Sequence, residues 1–127
     1  MIDSNTKRVI CVAIGTGRRH DLGLLKTSKT RFAQSVLVKA DKGYQGIKRV
    51  HGLSETPQKK PRGGQLTEEQ RMQNRELARE RIVVEHVNRR FKVFRVLSER
   101  YRNRRSRYGL RVNLVAGIYN LDCVDNS

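Results

Sequence analysis

The pattern of apolar and polar positions divides the chain into a strand-bearing first half and a helical second half. Residues 7–14, KRVICVAI, are β-branched and apolar after the polar DSNT. They predict a strand, and the turn-like DSNT predicts a partner strand before it. Gly15-Thr16-Gly17 ends that strand. Asp21 precedes Leu22, Leu24 and Leu25 and reads as the N-cap of a short helix ending near Lys29. Residues 35–40, SVLVKA, predict a second strand. Its VLV is apolar on both faces, as in a buried central strand. The two-glycine turn DKGYQG (41–46) closes it. The segment 53–62 holds both prolines and has room only for a short edge strand. Gly63-Gly64 is a break.

Beyond that break the period changes to that of helices. Thr67-Glu68-Glu69-Gln70 matches a capping box, and its glutamates suit the positive end of a helix dipole. Neither Gly nor Pro falls between Leu66 and Gly109, so one helix or a bent pair is expected over 66–98. A basic loop follows at 99–105. A last helix is expected over 106–124, with Leu110, Leu114, Ile118 and Leu121 forming one apolar stripe. Strands alternating with a helix and then giving way to helices indicate an α/β fold with a helical end. There is no internal repeat.

Charge changes the picture more than composition does. The 127 residues carry 28 Lys+Arg against 12 Asp+Glu, a formal net charge of +16. Residues 71–111 alone hold thirteen arginines and one lysine against four glutamates, a net +10. Such a surface attracts polyanions, nucleic acid first among them. The arginine bias matters because guanidinium forks bind phosphate oxygens in pairs. No apolar run approaches the ~18 residues of a membrane span, and the polar, acidic start does not resemble a secretory signal. Cys11 and Cys123 form no CxxC, which argues against zinc or a disulfide framework and for a reducing cytoplasm. Cys11, Cys123 and His51 read as structural or incidental, and His20 and His86 as solvated or packing residues.

Two acids stand out. Asp41 follows the apolar strand, at the kind of carboxyl end where ligands gather in open α/β sheets. Its ordinary alternative is a turn aspartate bonded to its own backbone ahead of Gly43. Glu85 lies in RIVVEHVNRRFK, where Arg81, Glu85 and Lys92 fall within roughly 60° of one another on a helix, bordered by Asn88 and Arg89. Its ordinary alternative is a salt-bridged surface face. Taken together, a strand-end carboxylate and a helix carboxylate suit divalent cations, which take hard oxygen ligands and phosphate oxygens. Two such ions about 3.5–4 Å apart activate a water or 3′-hydroxyl and stabilise the leaving oxygen.

On these residues the chain resembles the C-terminal part of the DDE transposases of bacterial insertion sequences. ADKGYQG (40–46) resembles the second-acid motif of that family. RIVVEHVNRRFK resembles the third-acid motif, with Arg81, Glu85 and Lys92 at its spacing and Ala78 where the family has tyrosine. GTGRRHDLGLL (15–25) resembles the connection between the first two acids. The resemblance spans about residues 7–124. It implies a truncated RNase H-like fold with a small mixed sheet and C-terminal helices, bound Mg²⁺ or Mn²⁺ of the two-metal type, and DNA as substrate. It implies Asp41 and Glu85 as catalytic metal ligands, with Arg81, Arg89, Lys92 and Tyr44 against DNA. Asp3 sits in the DSNT turn and Asp21 at a helix start, so neither is taken as the family's first acid. The expectation is a C-terminal fragment of a cytoplasmic, DNA-associated transposase, inactive alone, acting as a homodimer or with a complementing N-terminal segment. Some insertion-sequence transposases are encoded in two frames, which makes complementation concrete. The alternatives are a non-enzymatic basic nucleic-acid binder and a small ribosome-associated protein.

Overall fold

The computed structural model describes residues 1–100 and 105–125. The helix predicted after Gly17 forms as α1 (Asp21–Thr27), with His20 rather than Asp21 at the N-cap. Lys29 follows with φ 54°, the left-handed turn that commonly ends a helix. The strand expected over 35–40 narrows to β1 (Val38–Lys39), and the prolyl segment supplies β2 (Ser54–Glu55). The two pair in parallel, Val38 opposite Ser54. Val38 N–H donates to Leu53 O at 3.0 Å and Ala40 N–H to Glu55 O at 2.9 Å. Two 3-10 turns, Lys42–Tyr44 and Ile47–Arg49, fill the crossover between them. Gly46 joins these turns at φ 90°, a backbone conformation that a side chain resists.

The capping box forms as predicted. Thr67 Oγ1 accepts from Gln70 N–H at 3.2 Å, and Gln70 Oε1 accepts from Thr67 N–H at 3.1 Å. Such a cap stabilises a helix by about 1 kcal/mol. It opens α2 (Glu68–Lys92), whose last turn carries Arg89, Arg90 and Lys92. The helical run breaks where Phe94 turns extended, and α3 (Arg95–Ser98) follows. The basic loop expected over 99–105 lies mostly outside the described residues. Beyond it a 3-10 turn at Arg105–Arg107 leads into α4 (Tyr108–Asp125).

Two compact units share the chain, and their division falls inside α2. The first comprises Met1–Ile14 and the described residues from Glu80 onward. Its core joins Val9, Val87, Ala116 and Tyr119, with Ile2, Val12, Phe91 and Cys123 packed around them. The Phe91 and Tyr119 rings meet edge to face at 5.6 Å. The strand expected over 7–14 appears here as one antiparallel bridge, Ile2 to Val9, so the partner before it is present but no extended ladder forms. Asp3 builds the turn between them: its carboxylate accepts from the Thr6 hydroxyl (2.7 Å) and Asn5 N–H (2.9 Å). Those bonds, the Thr6 hydroxyl foremost, hold the Asp3 carboxyl below its ordinary range. On the far side of Val9 the Asn120 amide accepts from Val9 N–H and donates to Val9 O, both at 2.8 Å.

The apolar stripe read from the sequence of α4 is not the face that packs. Val112, Val115, Ala116 and Tyr119 are buried, whereas Leu110, Leu114, Ile118 and Leu121 are exposed. The helix is apolar on two opposite sides, and a single-stripe reading finds only one of them.

The second unit spans Gly15–Arg79 and holds the β1–β2 pair, α1 and the start of α2. Ile47, His51 and Ser54 are buried in it. The His51 ring meets Val36 O at 2.6 Å and lies 5.2 Å from the Phe32 ring, a structural role as expected. Asn74 of α2 accepts from Gln58 N–H (2.7 Å) and donates to Gln58 O (3.1 Å), tying the prolyl segment to the helix. The sheet is smaller than expected: two parallel strands, with the antiparallel bridge lying in the other unit.

Candidate functional site

Asp41 sits two residues past the end of β1, at the N-cap of the first 3-10 turn. Its Oδ1 accepts from Gly43 N–H at 2.8 Å, and its carbonyl accepts from Tyr44 N–H at 3.1 Å. The turn-forming role considered for this residue is therefore real. A second carboxylate arrives from α1, whose first residue is Asp21. A β-carbon at residue 43 would collide with Asp21 Oδ2 and lie 3.1 Å from Asp41 Oδ1. A side chain here would push the Asp21 carboxylate aside, so glycine is what lets the two acids approach this close.

Tyr44 is half-buried beside them. Burial first, and then the negative charges of Asp21 and Asp41, push its phenol above the ordinary tyrosine range. Asp21, Asp41 and Tyr44 therefore share one electrostatic neighbourhood. The sequence points to Tyr44 here but presents Asp21 as a helix cap. The only signal for Asp21 is its place within the GTGRRHDLGLL segment.

The third candidate acid belongs to the other unit. Glu85 is exposed on α2, on the side opposite buried Val87. Arg89 and Lys92 are exposed on the same face, and Arg81 is half-buried there. One acid displayed with three cations can grip a phosphate and leave a carboxylate beside it. His20 and His86 are exposed, as expected.

Among the described residues no three His, Cys, Asp or Glu side chains gather as a metal site. At Gly43 two carboxylates, Asp21 from α1 and Asp41 from the turn after β1, nonetheless approach the same glycine, which places hard oxygen donors from two elements side by side. Mg²⁺ is commonly held by one or two carboxylates with water and phosphate oxygens completing the shell. Among the described residues no helix is long and apolar enough to cross a membrane.

Comparison with known proteins agrees with the motifs. The chain is 57% identical over 122 residues to a protein of Microchaete diplosiphon described as a probable transposase for insertion sequence element IS702. That match covers 96% of this chain but 44% of the relative, so the chain spans less than half its length. No solved structure matches. The DDE superfamily endonuclease family matches residues 1–120, nearly the whole sequence, and the chain belongs to that family of insertion-sequence transposases.

Proposed function

We propose that the chain is the C-terminal part of an RNase H-like DDE catalytic domain, contributing the second and third acids to metal-dependent DNA cleavage and strand transfer. The observation that carries this reading is the approach of two carboxylates, Asp41 and Asp21, to the same glycine at residue 43. Asp41 and Glu85 are the metal ligands, with Asp21 supporting the Asp41 side. Mg²⁺ or Mn²⁺ held by these carboxylates would activate the attacking water or 3′-hydroxyl and neutralise charge on the leaving oxygen. Arg81, Arg89 and Lys92 hold the DNA backbone beside Glu85. Tyr44 presents its half-buried ring to the substrate next to Asp41.

Chemically, a water oxygen attacks the phosphorus at the element end and the 3′-oxygen leaves with a proton. The freed 3′-hydroxyl then attacks a target phosphodiester and expels its 3′-oxygen. No aspartate lies within the apolar stretch 9–14. In this reading the first acid is supplied from outside these 127 residues, and the chain alone does not cut DNA.

Nicking of supercoiled plasmid in Mg²⁺ or Mn²⁺ tests this. The chain alone leaves the plasmid intact. Joined to the part of the IS702 transposase that it does not span, it nicks, and Asp41→Asn or Glu85→Gln removes that activity. Nicking by the isolated chain that vanishes in Asp41→Ala would overturn the need for an outside acid.

A second reading, a non-enzymatic nucleic-acid binder, is favoured by one observation: the +10 of residues 71–111 suffices for phosphate affinity without any acid. The two readings part at Asp41→Ala, which abolishes cleavage under the first and leaves binding intact or tighter under both.

A further inference from the structure

A cleft of about 830 Å³ opens in the first unit, between the turn after Ile2, the last turn of α2 and the second half of α4. Lys7 and Arg8 border it from the turn, Arg90 from α2, and Tyr119, Asp122 and Cys123 from α4. Three cations thus line it with one carboxylate. Lys7 and Arg8 are held in place on both sides. The Lys7 N–H donates to Asp3 O at 2.9 Å, and the Lys7 carbonyl accepts from the Tyr119 hydroxyl at 3.3 Å. Just beyond Arg8, the Asn120 amide grips both backbone groups of Val9. Among the described residues neither Lys7 nor Arg8 takes part in an ion pair. Lys7 has φ 59°, where a β-carbon is crowded and glycine fits without that cost. The fold therefore does not call for a lysine at this position.

Arg90 is presented differently. Its guanidinium lies 5.9 Å from the centre of the Tyr119 ring and 4.0 Å from the Asp122 carboxylate. Both members of that pair are more than half exposed, and an exposed pair at this distance is weak, so a phosphate oxygen can take the place of Asp122. Exposed cations hold a lone phosphate poorly. A strand is different: it meets several of them at once and releases the counterions condensed along it. The net charge of +16 adds to the same preference. Around α2, Arg90 stands roughly 140° from Glu85, so the cleft is separate from the face that carries Arg81, Arg89 and Lys92.

We infer that this cleft is a second phosphate-binding surface, taking the sugar–phosphate backbone of a nucleic-acid strand between Lys7, Arg8 and Arg90. The inference goes beyond the proposed catalysis, because none of the acids invoked there takes part. A short fluorescein-labelled DNA duplex is titrated with the 127-residue chain at several salt concentrations and followed by anisotropy. Inorganic phosphate and thymidine monophosphate are titrated separately by calorimetry.

The expected result is that Lys7→Gly with Arg90→Gln weakens duplex binding tenfold or more at low salt and reduces the slope of log affinity against log salt by about 2. Asp122→Asn strengthens binding, since it frees Arg90. Lys7→Gly alone keeps or raises the urea midpoint, because glycine suits this backbone, and still reduces the slope by about 1, which separates the lost contact from unfolding. Lys48→Gln, at an exposed position in the other unit, leaves affinity and slope unchanged. A double variant that binds like the parent overturns the inference. An equal loss in Lys48→Gln overturns it too, since only diffuse charge would then be at work. So does inorganic phosphate or thymidine monophosphate binding as tightly as the duplex. Duplex binding that responds to these substitutions while plasmid nicking fails would keep this surface and sink the catalytic reading. Nicking accompanied by duplex binding indifferent to them would do the reverse.

Discussion

Replacing Asn120 by alanine should destabilise the first unit by about 2–4 kcal/mol, and the structure shows where that figure arises. Val9 is nearly buried and pairs with Ile2 in the antiparallel bridge. The backbone bonds on that side run from Asp3 N–H to Arg8 O and from Ile10 N–H to Met1 O. In an antiparallel pair the groups of the residue between such bonds point the other way. In a sheet a neighbouring strand would receive them. Here the Asn120 amide receives both, acting as a substitute peptide group at 2.8 Å on each side. Each bond contributes roughly 1 kcal/mol net, and a donor or acceptor left without a partner in a poorly hydrated place costs about 1–3 kcal/mol. Water reaching half-buried Asn120 limits the second term, which sets the total. Asn120→Asp keeps an acceptor for Val9 N–H but turns a carboxylate toward Val9 O, so its loss should be at least as large. Urea unfolding followed by circular dichroism measures both variants. A loss below about 0.5 kcal/mol in Asn120→Ala would refute the argument, because it would mean that neither Val9 group depends on the amide.

Other expectations concern the candidate site. Gly43→Ala sets a methyl group against the Asp21 carboxylate and forces it aside, so Mn²⁺ binding followed by electron paramagnetic resonance should weaken tenfold or more while the circular dichroism stays that of the parent. Tyr44 has its folded pKa raised, so its contribution to stability is complete below pH 10.0, the ordinary tyrosine value, and is lost as pH rises through the folded value. Because Asp21 and Asp41 supply part of that rise, Mg²⁺ should lower the Tyr44 ionisation midpoint. Tyrosinate absorbance of the parent minus that of Tyr44→Phe reads the shift, and no movement with Mg²⁺ would separate Tyr44 from the cation. Replacing Arg89 and Lys92 together by serine should weaken DNA binding and reduce the slope of log affinity against log salt by about 2, one for each phosphate no longer neutralised.

What neighbouring residues decide among themselves is legible in the sequence. The capping box at Thr67 and Gln70, the α1 span and the Asp41–Gly43 turn each depend on groups within a few positions, and all three form. What the sequence hides depends on partners far along the chain. Asn120 and Asn74 each bind a distant backbone through one amide, and a lone asparagine leaves no periodic trace. Asp21 reads as a cap because the position before an apolar run is usually one, and only the packing of α1 near the 41–44 turn brings its carboxylate to Gly43. β-Branched residues predict the strand over 7–14, but a ladder needs neighbours on both sides, and Val9 finds a helix side chain on one of them. The α4 stripe is visible as a pattern, yet periodicity does not say which of two apolar faces is filled.

Helix α2 spans 25 residues and buries only Val87 along that length. Val87 and half-buried Phe91 pack into the core of the first unit, while the exposed first turns rest on the cap and on side-chain pairs such as Glu68 with Arg71 at 3.7 Å. The spacing of Arg81, Glu85 and Lys92 is set by the helix repeat alone, so their shared face holds wherever α2 is wound. Any change that leaves α2 wound therefore leaves this row of side chains in register.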